Sequence, residues 1–203
     1  MKIFISPHND DEVLFGAFTL MAEKPYVIVA YDSYVQAERG IEGCGWEDRR
    51  WETIKACEVL GIPEEKIFFL GLPDNKPEGL DMLISRLDWA FKMIIAGAEP
   101  EVKDVETVYA PANYSPKGNA QHNKVSIACR RTFSPEQLVY YHTYQAHLKV
   151  CTGARVLIPE NMPAVSMKLA ALLQYKSQLN LWSTRDHFLR DQYEYVEAPN
   201  ATS

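Results

Sequence analysis

Seven residues near the N-terminus, Ser6-Pro7-His8-Asn9-Asp10-Asp11-Glu12, gather one imidazole and three consecutive carboxylates. His8 and Asp11 are three positions apart, so a single turn of chain can aim both at one cation. A nitrogen and an oxygen ligand of this kind suit Zn²⁺ or a similar divalent metal. Asp10, between them, can face the same site without binding the metal. The acids also suit a helix N-terminus, where they complement the helix dipole and cap free N–H groups. Capping explains one or two acids better than three in a row behind a histidine.

A catalytic metal site needs a third protein ligand and an open position. The chain holds five histidines, and His122 follows an expected fourth strand and opens an expected helix. That places it on the same sheet edge as His8. A structural or surface imidazole and a third ligand both fit this position.

The elements that must position these groups alternate. Strands are expected at Lys2–Ser6, Tyr26–Tyr31, Lys66–Leu70, Thr107–Ala110, Gln137–Tyr144 and Val156–Ile158. Between and after them, 3.6-residue periodicity and turn signals place helices at about Asp11–Glu23, Trp46–Leu60, Leu80–Ala98, Asn119–Phe133 and Ala164–Tyr175. Such alternation argues for an α/β fold, a mostly parallel sheet with helices on both faces. Ligands of such sheets bind beyond the C-terminal strand ends. The loops to search therefore follow Ser6, Tyr31, Leu70, Ala110 and Tyr144. The loop from Asp32 to Gly45 is long enough to act as a lid. Trp46 and Trp51 flank Arg49, while Tyr31, Tyr34 and Tyr114 are expected on loops near the rim, where a ring can stack on a sugar. The tail after Tyr195 is expected to fray. No linker or repeat divides residues 1–203, which read as a single domain.

Composition narrows the function further. A net charge of −6 with basic residues no denser than pairs disfavours nonspecific phosphate-backbone binding, so no nucleic-acid partner is expected. The four cysteines form no CxxC pair, which weighs against a zinc ribbon and favours reduced thiols in a cytoplasmic protein. No apolar run is long enough for a membrane span. No GxGxxG or P-loop follows the first strand, which weighs against a metal-free nucleotide-binding domain.

Pro7-His8-Asn9-Asp10-Asp11-Glu12 resembles the (A/P)-H-x-D-D-E signature of the PIG-L/LmbE-like deacetylases. Arg49, Glu52, Ala56, Leu60 and Gly61 are similar to that family's R-x-x-E helix ending in L-G. Phe69-Leu70-Gly71-Leu72-Pro73-Asp74 resembles its F-L-G-x-x-D turn, and Tyr175-Lys-Ser-Gln178 its late helix. The ordered set spans nearly the whole chain. The resemblance implies a Rossmann-like three-layer sandwich and a zinc-dependent N-deacetylase, zinc being replaceable by another divalent transition metal. It implies small-molecule substrates such as N-acetylglucosaminyl compounds. By position it makes His8, Asp11 and His122 metal ligands and Asp10 the general base. Arg49 becomes the arginine that reaches the active site, and Asp74 an acidic turn residue near substrate.

One segment departs from the family. Its H-x-D-H becomes Asn119-Ala-Gln-His122 here. Asn119 can donate a hydrogen bond to an oxyanion or to substrate but cannot act as an acid. Either Asp10 shuttles the proton in both steps, or another group serves. His142, late in the fifth expected strand, is the nameable candidate on the substrate side; a sheet residue with a satisfied ring is its other reading. The departure also admits a second function, a catalytically weak metal-binding member that holds a ligand. The substrate within the class and the oligomeric state stay open.

Overall fold

The computed structural model describes residues 1–33, 46–74, 79–98, 104–112, 119–143, 155–157, 162–179 and 194–197. Seven strands form one sheet in the order β3-β2-β1-β4-β5-β7-β6. These are β1 (Lys2–His8), β2 (Tyr26–Ser33), β3 (Ile67–Pro73), β4 (Thr107–Pro111), β5 (Leu138–Tyr141), β6 (Arg155–Leu157) and β7 (Glu194–Glu197). The first five are parallel, while β7 pairs antiparallel with both β5 and β6. The helices are α1 (Asp11–Glu23), α2 (Trp46–Val59), α3 (Leu80–Gly97), α4 (Ala120–Thr132), α5 (Met162–Leu172) and the single turn α6 (Lys176–Leu179). The fold is thus a three-layer α/β arrangement on a mostly parallel sheet.

Side-chain alternation along β1 builds the two cores. Ile3 and Ile5 join a cluster with Leu83, Leu87 and Ile94 of α3 and Val125 and Cys129 of α4. Phe4 points the other way, toward Val13 and Ala17 of α1, Ala56 and Cys57 of α2 and Leu172 of α5. A period of two therefore feeds both faces from one buried strand. Gly16 is what lets α1 lie on β1, because a Cβ there would come within 2.3 Å of the Phe4 ring. The thiols of Cys57 and Cys129 are free and buried.

The strand order reverses at β1. From β1 the chain proceeds through α1 to β2 and β3 on one side, whereas β4 and β5 lie on the other. The helices leaving β1 and β4 lie in opposite layers, so a crevice opens between the ends of these two strands. β1 pairs with β4 only over Lys2–Phe4, but with β2 as far as His8. Pro7, which has no N–H to give, falls in the stretch where β1 has already left β4. On the far side, Gly71 (φ 72°) lies in a register shift between β3 and β2, directly before the turn that carries Asp74.

Three expectations change. Val196 and Glu197, the first residues of the tail expected to fray, belong to the strand β7 (Glu194–Glu197), placed inside the sheet between β5 and β6, while 198–203 lie outside the described residues. Tyr31 is not a rim residue but a buried member of β2. The fifth strand ends at Tyr141, so His142 follows it rather than belonging to it. Of the expected lid (Asp32–Gly45), Asp32 and Ser33 end β2, while 34–45, Tyr34 and Tyr114 lie outside the described residues, as does the Trp46 side chain. Trp51 is exposed on α2.

Candidate metal centre

Three donor atoms converge at the crevice. His8 Nδ1 lies 2.9 Å from Asp11 Oδ2 and 3.2 Å from His122 Nε2, and His122 Nε2 lies 3.0 Å from Asp11 Oδ2. Metal–ligand bonds of about 2.0–2.1 Å in a tetrahedron place ligand atoms about 3.3–3.4 Å apart. The observed triangle is slightly contracted from one face of such a tetrahedron. Its donor set of two imidazoles and a carboxylate fits Zn²⁺ and related divalent metals, and three protein ligands leave a position open. Among the described residues, these three form the cluster able to hold a cation.

Local structure explains each placement. His8 ends β1. Asp11 opens α1 and accepts the His8 backbone N–H at 3.0 Å, which locks the strand-to-helix turn. His122 lies one turn into α4, whose N-cap Asn119 accepts from Gln121 N at 2.8 Å. His122 is 1% exposed, so the third donor comes from the interior rather than from a surface side chain.

The charges agree with a cation site. Burial alone would lower His8, but its contacts with Asp11 and Asp74 prevail and hold the imidazole up to about 10. Burial alone would raise Asp11, yet the charge and hydrogen bond of His122, with those of His8, keep its carboxyl well below the usual range. His8 Nδ1 and Asp11 Oδ2 thus face each other where a cation would bind.

Asp10 is the N-cap of α1 with φ 107°, a conformation that L side chains rarely adopt and that concentrates at functional sites. Glu12, fully buried, holds it there by accepting the Asp10 N–H at 3.1 Å. Glu12 also accepts from Ser6 Oγ at 3.0 Å and from Tyr175 Oη. Burial pushes the Asp10 carboxyl up to about 7, with the Arg49 guanidinium opposing and the Asp11 charge adding. Burial, with the Asp10 charge adding, raises Glu12 to about 8. Arg49 Nη2 donates to Asn9 O at 2.5 Å and lies 3.6 Å from Asp10 Oδ2. Asn9 Nδ2 in turn donates to Thr53 Oγ1 at 2.8 Å, so α2 grips the turn through two residues, Arg49 and Thr53.

The turn after β3 completes the site. Asp74 Oδ1 is 3.5 Å from His8 Nε2. Contact with His8 holds the Asp74 carboxyl low against the cost of burial. Gln121 bridges the two: its side chain meets His8 Nε2 at 2.8 Å and Asp74 O at 2.7 Å. Of the residues singled out from sequence, His8, Asp10, Asp11, Arg49, Asp74 and His122 come together here. Asn119 is exposed at the helix cap, and His142 is buried outside the three-residue cluster. Sequence reasoning missed the bridge made by Gln121 and the clamp of Glu12 by Tyr175. The signals were position: Gln121 directly precedes His122, and Glu12 directly follows Asp11.

The fold and its side chains thus define an α/β protein with a His-Asp-His cluster able to hold a cation at the switch point of a mostly parallel sheet. A sequence model of the PIG-L family, described as GlcNAc-PI de-N-acetylase, matches residues 3–133, and the chain belongs to that family. Comparison with curated protein sequences returns no match. Among solved structures, the chain resembles N,N'-diacetylchitobiose deacetylase of Pyrococcus horikoshii, with 16% identity, TM-score 0.71 and coverage of 98% of this chain and 84% of that one. It also resembles the conserved protein TT1542 of Thermus thermophilus, with 19% identity, TM-score 0.64 and coverage of 100% and 95%. A third is GalB, the 4-carboxy-2-hydroxymuconate hydratase of Pseudomonas putida, with 16% identity, TM-score 0.64 and coverage of 94% and 84%. At these identities the likeness shows the fold alone. No helix among the described residues is long and apolar enough to cross a membrane.

Proposed function

We propose that this chain is a zinc-dependent N-deacetylase that removes an acetyl group from the amide nitrogen of an N-acetylated sugar or a sugar-containing small molecule. The single observation that carries the reading is the three-atom face of His8, Asp11 and His122 with Asp10 beside it, in a member of the PIG-L family. A divalent cation held there supplies Lewis acidity toward a carbonyl and acidifies a water molecule.

The chain's own groups do the rest. Asp10, raised toward neutrality, accepts the proton of the attacking water and returns it to the amine as the C–N bond breaks. Arg49 keeps Asp10 in register by holding the Asn9 carbonyl, and places positive charge beside the developing oxyanion. Asn119 keeps an NH₂ group free to donate while its Oδ1 caps α4. Asp74 orients His8 and offers its turn to substrate hydroxyls. His142, buried directly after the end of β5, is the remaining candidate for a group on the substrate side. The acidic balance of the chain favours a small molecule over nucleic acid as partner.

The segment Asn119-Ala-Gln-His122 favours a second reading, a metal-binding member with weak or no turnover. Assay of acetate release from a panel of N-acetylated sugars separates the two. Release above the no-enzyme control supports the hydrolase; a metal-loaded protein that releases nothing supports the second reading.

A further inference from the structure

We propose that Gln121 is a positioning residue for the cation site, whose carboxamide fixes the ring tautomer of His8 so that the Nδ1 lone pair faces Asp11 and His122. The inference rests on the metal-dependent reading of this site.

The hydrogen bonds leave one consistent assignment. A backbone carbonyl only accepts, so the group of Gln121 that meets Asp74 O at 2.7 Å must be its NH₂. The amide oxygen is therefore the end that meets His8 Nε2 at 2.8 Å. That oxygen also only accepts, so Nε2 must carry the hydrogen. Asp74 Oδ1, 3.5 Å from the same nitrogen, is a second acceptor on that side. With Nε2 protonated, a neutral His8 ring has its lone pair on Nδ1, the atom 2.9 Å from Asp11 Oδ2 and 3.2 Å from His122 Nε2. A metal-bound histidine needs this kind of outer partner to hold its tautomer and ring angle.

The backbone fixes Gln121 as firmly as its side chain fixes His8. Gln121 N donates to Asn119 Oδ1 at 2.8 Å, in the first turn of the helix that also carries His122. One turn of α4 thus supplies a ligand and the group that orients the ligand from β1. Gln121 and Asn119, which depart from the family pattern, act in this chain as neutral supports of the cation site.

The test uses the whole protein, labelled with ¹⁵N-histidine and loaded with Zn²⁺. Gln121→Leu removes both bonds with little change of volume; Gln121→Glu keeps an acceptor facing Nε2. In wild type, ring ¹⁵N spectra are expected to show His8 protonated at Nε2 and ligated at Nδ1. In Gln121→Leu the Nε2–H signal is lost or mixed, and Zn²⁺ affinity by chelator competition falls roughly 10- to 100-fold. Gln121→Glu keeps the Nε2–H signal. Circular dichroism and the thermal midpoint of the variants, read in the same samples, show that the fold persists. A wild-type His8 protonated at Nδ1, or a Gln121→Leu protein with unchanged tautomer and Zn²⁺ affinity, overturns the proposal alone. A wild-type protein that takes up no divalent cation overturns the metal reading and this proposal with it.

Discussion

His8 Nδ1 and His122 Nε2 lie 3.2 Å apart although 114 positions separate the residues in sequence. Two ring nitrogens at that distance, both against the same carboxylate oxygen, need a proton or a cation between them. The crevice between β1 and β4 brings them together, because the helices that follow these strands leave to opposite layers there.

Removal of the third donor tests the ligand set. His122→Ala is expected to leave zinc content far below one per chain after gel filtration, measured by elemental analysis. A fully metallated variant would remove His122 from the set.

Asp10→Asn separates the base from the ligands. The variant is expected to keep its metal, since Asp10 is not one of the three donors in the cluster. Turnover is expected to fall by roughly 10²–10⁴-fold, the range for loss of a general base. Metal content and acetate release, measured on one preparation, read the two effects together.

A buried ion pair joins β7 to α5, and both of its partners bond to the backbone of α1. Lys168 Nζ donates to Glu194 Oε1 at 3.0 Å and to Leu14 O at 2.8 Å, and Glu194 accepts from Phe18 N at 2.8 Å. Lys168→Met leaves that carboxylate buried without its cation, which typically costs about 3–5 kcal/mol. Urea unfolding followed by circular dichroism is expected to show a loss of this order.

Gly16 sets the distance between α1 and β1. Gly16→Ala adds a methyl group that would come within 2.3 Å of the Phe4 ring, so ring and helix must move apart. Overpacking of this kind costs about 1–3 kcal/mol. A thermal midpoint unchanged from wild type would contradict the close packing.

Much of this was legible in the sequence where the signal is local. His8, Asp10 and Asp11 stand within four residues of one another, and the boundaries of α1 coincide with the expected Asp11–Glu23. The parallel order followed from strand–helix alternation. What escaped was nonlocal. β7 is only four residues long and owes its strand to pairing with β5 and β6, so no periodicity marks it. Gln121 looked like the loss of a titratable side chain, and its bond to a ring 113 positions away has no trace in composition or spacing. Tyr31 looked like rim because β2 runs two residues past it, to Ser33.

The central claim is metal-dependent amide hydrolysis at this centre. Its most direct measurement is acetate and free amine released from N-acetylated sugars by the zinc-loaded protein, by the protein stripped with chelator, and by the stripped protein given zinc again. The expected result is equimolar acetate and amine from at least one substrate, lost on stripping and restored by zinc. Release that survives complete stripping, or no release from any substrate by fully loaded protein, would contradict it.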